Sequence, residues 1–469
     1  MPTQWARRAV ALALLLCIAA CEASEPLATP SPGTGGARAT GGSASAGGSA
    51  AVGTGGAGGN PAPVAGNAGT GAATGGVSNP GLGGSAAGGS VSGGAGVTGT
   101  GGATNPGGSG GTTGVGGAGD GGGGAAGKPV SFTIFDEVVF YDAYADVVNE
   151  PVPAGVLRLR NDLFTHKLTE QELGSIQSTL TVRVIIGALC DNYDRIGSVA
   201  LALVPKGQSM YEADDVERIE IGRYITPFMN RNKQPDEVPY EFSADNLVPV
   251  LRDSELRAEF EPWLELELFG VPYAANDEVA GCADRSDVFR GSVIFDSDSS
   301  APAAAFDGLI PLAYKAPFNN YQQGASDRSG TTRKTISFTL EDATRDTQLV
   351  LITSNHGANT DGEEYVRRDH FVYVDDEQVL EYKPGRSSCE PFRKFNTQAN
   401  GIYGQSPRTD STWQSFSNWC PGDVIDTRII PLGPQTAGPH EVVIDVPDAE
   451  FVGGDGNFPL SLYVQLRSM

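Results

Sequence analysis

Residues 263–271 read WLELELFGV. Side chains alternate across an extended chain, so Leu264, Leu266 and Leu268 share one face and Glu265 and Glu267 the other. Such a segment is expected to be an antiparallel strand with its leucines on a core and its glutamates in water. The same period recurs in TLTVRVII (179–186), SVALALV (198–204), KTISFTL (334–340), QLVLITS (348–354), HFVYVDDEQVLEY (370–382), EVVIDV (441–446) and PLSLYVQL (459–466). Clusters of Gly, Pro, Asp and Asn separate these runs, as turns do. Helical periodicity is confined to a turn or two at TEQELGSIQ (169–177) and DSELRAEF (253–260). Many short strands with turn signals between them predict an all-β sandwich, jelly roll or barrel.

The chain has 469 residues, but its first quarter cannot form a core, since 41 of the 64 glycines lie between residues 31 and 130 among Ala, Ser, Thr and Asn. Residues 22–128 are expected to be a disordered tether, with a root-mean-square reach of roughly 55–60 Å. Ahead of it, MPTQWARRAVALALLLCIAAC has Arg7 and Arg8, an apolar run and small residues before Cys21, the parts of an export signal. Its ending, IAAC, resembles the bacterial lipoprotein box, in which the cysteine is lipidated and becomes the mature N-terminus. The expected product is an exported protein, lipid-anchored through Cys21 at the bacterial cell envelope, at the outer membrane or cell surface, and touching the membrane only through that anchor. The small, polar stretch DSDSSAPAAAFD (296–307) then divides the remainder into two β domains, 129–300 and 301–469.

All but four of the 32 Lys and Arg, and all but three of the 56 Asp and Glu, lie after residue 128. So acidic a domain repels nucleic acid and anionic lipid, and neither is an expected partner. Cys190, Cys282, Cys389 and Cys420 remain once the signal segment is set aside; in an oxidising compartment they are expected to pair, in any of three ways. The four histidines (His166, His356, His370, His440) show no HxH or HExxH spacing, and no CxxC occurs, so no metal or cofactor is expected. Neither a GxSxG nor a Cys–His signal points to a covalent nucleophile.

Carboxylates are left as the candidate catalytic groups, and three contexts pair one with an aromatic ring of the kind sugars stack on. They are Asp194 in CDNYDR (190–195), Glu261 in FEPW (260–263), and Glu364 in GEEY (362–365) with Arg367, Arg368 and His356 close in sequence.

In order and spacing, CDNYDRIGSVALALV, IEIGRYITPF and LRAEFEPWLELEL resemble the first domain of the peptide-N-glycosidase F family. TSNHG, EEYVRRDHFVYV, TWQSFSNWCPG and GDGNFPLSLYVQL resemble its second domain, so the likeness runs over essentially all of 129–469. The resemblance implies two side-by-side eight-stranded antiparallel jelly rolls with the active site between them. It implies hydrolysis, without metal, of the amide joining the first GlcNAc of an N-glycan to asparagine, with N-glycosylated proteins or peptides as substrates for a monomeric enzyme. Its catalytic carboxylates fall on Asp194, Glu364 and Glu261. Its substrate contacts fall on Tyr193, where the family has Trp, and on Arg195, Trp263, His356, Arg368 and Trp419. A family disulfide falls on Cys389 and Cys420, and with it a Cys190–Cys282 bridge is implied.

The chain departs from that pattern in three places. The loop before WCPG is one residue shorter and has Phe416 or Ser417 where the family has an arginine. Gly362 and Val366 stand where two cysteines bracket the catalytic glutamate, and one partner of a disulfide near the catalytic aspartate is missing. Because jelly rolls also host lectins, a non-catalytic carbohydrate-binding or surface-interaction module is the main rival reading, and loss of any one of the three carboxylates would favour it. A glycoside hydrolase is the second.

Overall fold

The computed structural model describes residues 128–301, 306–359, 361–398, 403, 406–415 and 417–469; Cys21, the signal segment, the tether and Phe416 lie outside them. The first half forms β1 (Val130–Tyr141), β2 (Val156–Arg160), β3 (Leu163–Lys167), β4 (Thr181–Ala188), β5 (Ile196–Pro205), β6 (Glu217–Ile225), β7 (Glu237–Ser243), β8 (Phe260–Leu268) and β9 (Asp287–Ser297). The second forms β10 (Gly308–Ala316), β11 (Arg333–Leu340), β12 (Thr344–Thr353), β13 (His370–Val374), β14 (Glu377–Tyr382), β15 (Thr427–Pro431), β16 (Gly438–Asp445) and β17 (Leu460–Ser468). Sheets β1-β9-β4-β7 and β2-β3-β8-β5-β6 face each other in the first domain, and β10-β17-β12-β15 and β11-β16-β13-β14 in the second. Every pairing is antiparallel, which gives the expected two jelly-roll sandwiches. The first has nine strands rather than eight because the short β2 pairs onto the outer edge of β3.

Alternation decides which side chains meet. In β4, Val182, Val184 and Ile186 are fully buried, and they pack with Leu264, Leu266 and Leu268 of β8 in one core. A second core of Ile310, Leu349, Leu351, Val442, Ile444 and Leu462 fills the other sandwich.

The glutamate face of β8 departs from expectation. Glu265 is buried rather than in water and accepts a 2.7 Å hydrogen bond from the Tyr211 hydroxyl, while Glu267 pairs at 2.8 Å with Lys315 of β10. The cause is the second domain and the loop before β6, which cover a face that a lone sandwich would leave wet. Charges placed there must therefore be paired.

One ion pair organises that contact. Glu220 and Arg223 of β6 have no exposed side-chain surface; Arg223 Nε and Nη2 donate to the two Glu220 oxygens at 2.9 and 2.7 Å. Its Nη1 reaches into the second domain, to Ser354 Oγ at 2.9 Å and the Pro459 carbonyl at 2.7 Å, while Ser461 Oγ donates to Glu220. Beyond Arg223, β6 bonds to the second domain through its backbone: Ile425 N to Arg223 O at 2.8 Å, Ile225 N to Asp423 O at 3.0 Å and Gly422 N to Ile225 O at 2.9 Å.

Removing one partner of a buried pair leaves the other charge unmatched. Arg223→Ala is expected to lower the free energy of unfolding by about 3–5 kcal/mol in urea titration. A loss below about 1 kcal/mol, the scale of an exposed pair, would contradict the role given to this residue.

Candidate active site

The chain leaving β4 must turn back into β5, and CDNYDR makes that turn. Cys190 is bonded to Cys282, which fastens the turn to the segment after the helix Tyr273–Glu278. Asp191, almost fully buried, is the hub. Its Oδ1 accepts from Tyr193 N at 3.0 Å, its Oδ2 from Val271 N at 2.8 Å, and both hold Arg195, with Nε at 2.6 Å. Arg195 is thereby committed to shaping the turn, its guanidinium lying over the rings of Tyr193 and Phe269. Thr226, just past β6, seals the other side, bonding Arg195 N and O at 2.7 and 2.8 Å.

Asp194 projects from this turn to the seam between domains. There the Trp419 indole N–H donates to its carboxylate. Trp419 sits in the loop that the Cys389–Cys420 bridge anchors, and its ring lies 4.7 Å from that of His356. Tyr193 packs 5.8 Å from Phe228, beside the same bridge.

Glu364 arrives from the second domain. Its loop lacks bracketing cysteines, and Asn418 ties it instead: Nδ2 donates to the carbonyls of Glu363, Glu364 and Val366 at 2.6, 3.0 and 3.2 Å, and the Asn418 N–H donates to Glu364 O at 3.1 Å. A side chain at Gly362 would place its Cβ 2.3 Å from the Gly357 carbonyl, so glycine is required where the family has cysteine. The Tyr365 hydroxyl donates to the Glu364 carboxyl and also lines an open cleft of about 630 Å³ with Arg367, Lys383 and Gln414.

The two carboxyls differ in charge state. Burial pushes Asp194 up to about 6, with Arg195 and the Trp419 hydrogen bond opposing. Glu364 is pushed further, to about 8, first by burial and then by the neighbouring Asp194 charge, against hydrogen bonds from Tyr365 and the Gly357 backbone. Because the Asp194 charge raises Glu364, the two acids titrate as a pair. Between those values the pair holds one proton, mostly on Glu364. An ionised base and a protonated acid at one seam can activate water and protonate a leaving group.

Three expected site residues lie elsewhere. Strand β8 runs antiparallel to β5 with Leu268 opposite Gly197 and Glu261 opposite Val204. Asp194 precedes β5 at the Leu268 end, so Glu261 is seven residues, about 23 Å, further along the sheet. It pairs there with Lys167 at 2.6 Å. Trp263 is buried on the outer face under Tyr211, ring centroids 5.5 Å apart. Arg368 points away to the fully buried Glu363 at 2.9 Å, a second fastening of the Glu364 loop. The sequence reading missed Asn418 and Thr226, and took Tyr365 for a sugar-stacking ring rather than a hydrogen-bond donor to Glu364. Asn418 and Tyr365 are adjacent to residues singled out, but nothing along the chain reveals which carbonyls an amide will meet on a loop some fifty residues away. Among the described residues no group of three His, Cys, Asp or Glu is placed to hold a metal ion.

The sequence model for the N-terminal part of peptide-N-glycosidase F matches residues 131–283, and that for its C-terminal part matches residues 323–465. Among solved structures, PNGF-II is similar over 73% of this chain at 17% identity and a TM-score of 0.52; the match covers 66% of the PNGF-II chain, about two-thirds of its length. PNGase F, a glycosylasparaginase from Flavobacterium meningosepticum, is similar over 73% of this chain and 96% of its own at 17% identity and a TM-score of 0.45. No curated protein sequence matches the chain.

The raised acids set a stability signature. A carboxyl whose folded pKa exceeds its unfolded value stabilises the fold while protonated, and that contribution is lost as pH rises through the folded value. For Glu364 the loss spans the interval from the ordinary glutamate range to about 8. Glu364→Gln keeps a neutral group throughout, so its melting temperature is expected to gain on the parent's as pH is raised from about 5 to about 9. A difference independent of pH would mean that Glu364 is not held in this environment.

Proposed function

The chain belongs to the peptide-N-glycosidase F family, and from that membership we propose that it hydrolyses the amide bond between the first GlcNAc of an N-glycan and asparagine in glycoproteins or glycopeptides. The observation that carries this reading is the meeting of Asp194 and Glu364, one from each domain, with their proton affinities pushed apart. Ionised Asp194 takes a proton from a water that attacks the amide carbonyl. Protonated Glu364 delivers its proton to the nitrogen as the C–N bond breaks. The products are aspartate on the peptide and a glycosylamine, and the two carboxyls have exchanged roles until the proton returns. His356, Trp419 and Tyr193, grouped beside Asp194, are assigned to the sugar, since flat rings suit a sugar face.

This is a two-carboxylate reading, since Glu261 stands apart. That displacement is the specific observation favouring the rival, a carbohydrate-binding module that cleaves nothing. Mass spectrometry of an N-glycopeptide separates them: loss of the whole glycan with Asn converted to Asp supports the amidase, a retained GlcNAc a glycosidase, and an unchanged peptide with saturable glycan binding the module.

Asp194→Asn and Glu364→Gln are each expected to lower kcat by about 10²–10⁴-fold, the range removed with a general acid or base. Glu261→Gln is expected to stay within about twofold, as for an exposed ion pair. Equal losses for Glu261→Gln and Asp194→Asn would overturn the assignment. The rate should be maximal while the pair holds one proton, falling below about 6 as Asp194 protonates and above about 8 as Glu364 ionises.

We also propose that Cys21 carries a lipid and that the domain works at the cell envelope as a monomer, on the strength of the RRAVALALLLCIAAC signal and the long tether. Cys21→Ser should abolish incorporation of labelled palmitate and release the protein from membranes. Persistent membrane association of this variant would contradict the anchor.

A further inference from the structure

Glu261 lies far from the site, yet another acid stands beside Glu364. The stretch GGDGN (453–457) leads into β17 and carries Asp455. Gly456 has φ +97°, and a Cβ there would stand 2.2 Å from the His356 carbonyl oxygen, so only glycine lets this loop lie against the segment after β12. Across that contact His356 N donates to Asn457 O at 3.0 Å, and Asn457 N returns a bond to His356 O at 2.9 Å. The loop is also held from elsewhere in the domain: the Tyr321 hydroxyl donates to Gly456 O at 2.8 Å, and Phe318 N donates to Asn457 Oδ1 at 2.8 Å. The backbone on either side of Asp455 is therefore fixed.

Gly357 brings this loop to the catalytic one. A Cβ built on Gly357 would lie 3.4 Å from the Asp455 carbonyl oxygen and 3.4 Å from Glu363 N, and the Gly357 carbonyl accepts from Glu364 N at 3.2 Å. The loop carrying Asp455 and the loop carrying Glu364 thus both pack against one residue that has no side chain to keep them apart. Asp455 is half-buried, and its carboxylate makes no hydrogen bond or ion pair with the described residues. In this it differs from Glu363 and Asp191, the other acids beside the two catalytic ones, each of which is spent on an arginine.

We propose that Asp455 is a positioning residue of the site, whose unpaired negative charge, fixed beside Glu364 by this glycine-built loop, keeps the proton on Glu364 until the leaving nitrogen takes it. The inference rests on the amidase reading only for the identity of that nitrogen. A like charge nearby disfavours ionisation of a carboxyl. The groups acting on Glu364 come from three segments: Asp194 from the CDNYDR turn, Tyr365 and the Gly357 backbone from around its own loop, and Asp455 from the loop before β17. After burial, Asp194 raises Glu364 most, the hydrogen bonds from Tyr365 and Gly357 oppose, and Asp455 adds to the rise. Asp194 has this effect only while ionised, so once it has taken the proton of the attacking water Glu364 releases its own more readily. Asp455 exchanges no proton in the cycle, and its contribution is the constant one that favours refilling Glu364 between turnovers.

The proton on Glu364 is read without turnover by carbon-13 NMR of the full chain labelled at the glutamate carboxyl carbons, with the Glu364 signal identified by its loss in Glu364→Gln. In Asp455→Asn, which keeps the shape and removes the charge, the titration midpoint of that signal is expected to move down by roughly half a pH unit, the effect of one like charge acting across a partly wet site. Asp455→Glu keeps the charge and is expected to titrate close to the parent. Asp448→Asn removes an exposed carboxylate earlier in the same connection between β16 and β17, and is expected to leave the midpoint in place. In glycan release, Asp455→Asn should shift the alkaline limb of the pH–rate profile down by the same amount, costing about twofold in kcat at pH 8 and little near pH 6, with KM unchanged. An unmoved midpoint in Asp455→Asn, an equal move in Asp448→Asn, or a move in Asp455→Glu as large as in Asp455→Asn would overturn the proposal. A midpoint that moves as expected in a protein that releases no glycan would refute the amidase reading and leave this one standing.

Discussion

The buried ion pair between Glu220 and Arg223 is the constraint on which the rest of the molecule depends. Each β sandwich has its own core, the first also taking in Leu309, Val350 and Tyr463 of the second domain, but neither core by itself brings Asp194 and Glu364 together. The site exists because β6 carries charged groups that water cannot reach and that only the other domain can complete, through Ser354, Ser461 and the Pro459 carbonyl. A buried ion pair contributes little net stability against an apolar alternative, yet it tolerates few arrangements. Here the tolerated arrangement sets the end of β6 against residues 422–425, and so places the Trp419 loop over the CDNYDR turn.

From that placement the electrostatics follow. Asp194 and Glu364 come from loops more than a hundred residues apart in the chain. Together, at a seam where water is largely displaced, burial raises both and the ionisation of one raises the other further. The supports around them are a disulfide, an asparagine side chain, a buried Glu363–Arg368 pair and backbone amides. Absence of the family's bracketing cysteines is thus compensated by Asn418, which grips the Glu364 loop at three carbonyls.

Much of this was legible along the chain, and the failures have a common cause. Period-2 runs such as TLTVRVII and WLELELF marked real strands, since alternation is a local property. Asp194 and Glu364 could be picked out because each lies in a turn whose letters resemble a family pattern. Both disulfides implied by the resemblance are present. Glu261 failed because likeness of letters does not specify register: a β strand advances over 3 Å per residue, and a motif slid by several residues leaves the site entirely. Trp263 and Glu265 were misjudged because a polar face was read as wet when a neighbouring loop and domain cover it. Arg368 was misjudged because a cation beside a candidate acid in sequence can be spent on a different, buried one.

The account stands on cleavage of one bond, and isotope labelling reads that bond directly. An N-glycopeptide incubated with the protein in oxygen-18 water should lose its whole glycan, with one heavy oxygen appearing in the aspartate that replaces the asparagine, and Asp194→Asn should leave it untouched. A peptide that keeps its first GlcNAc, or that emerges unchanged and unlabelled from the parent protein, would contradict the account.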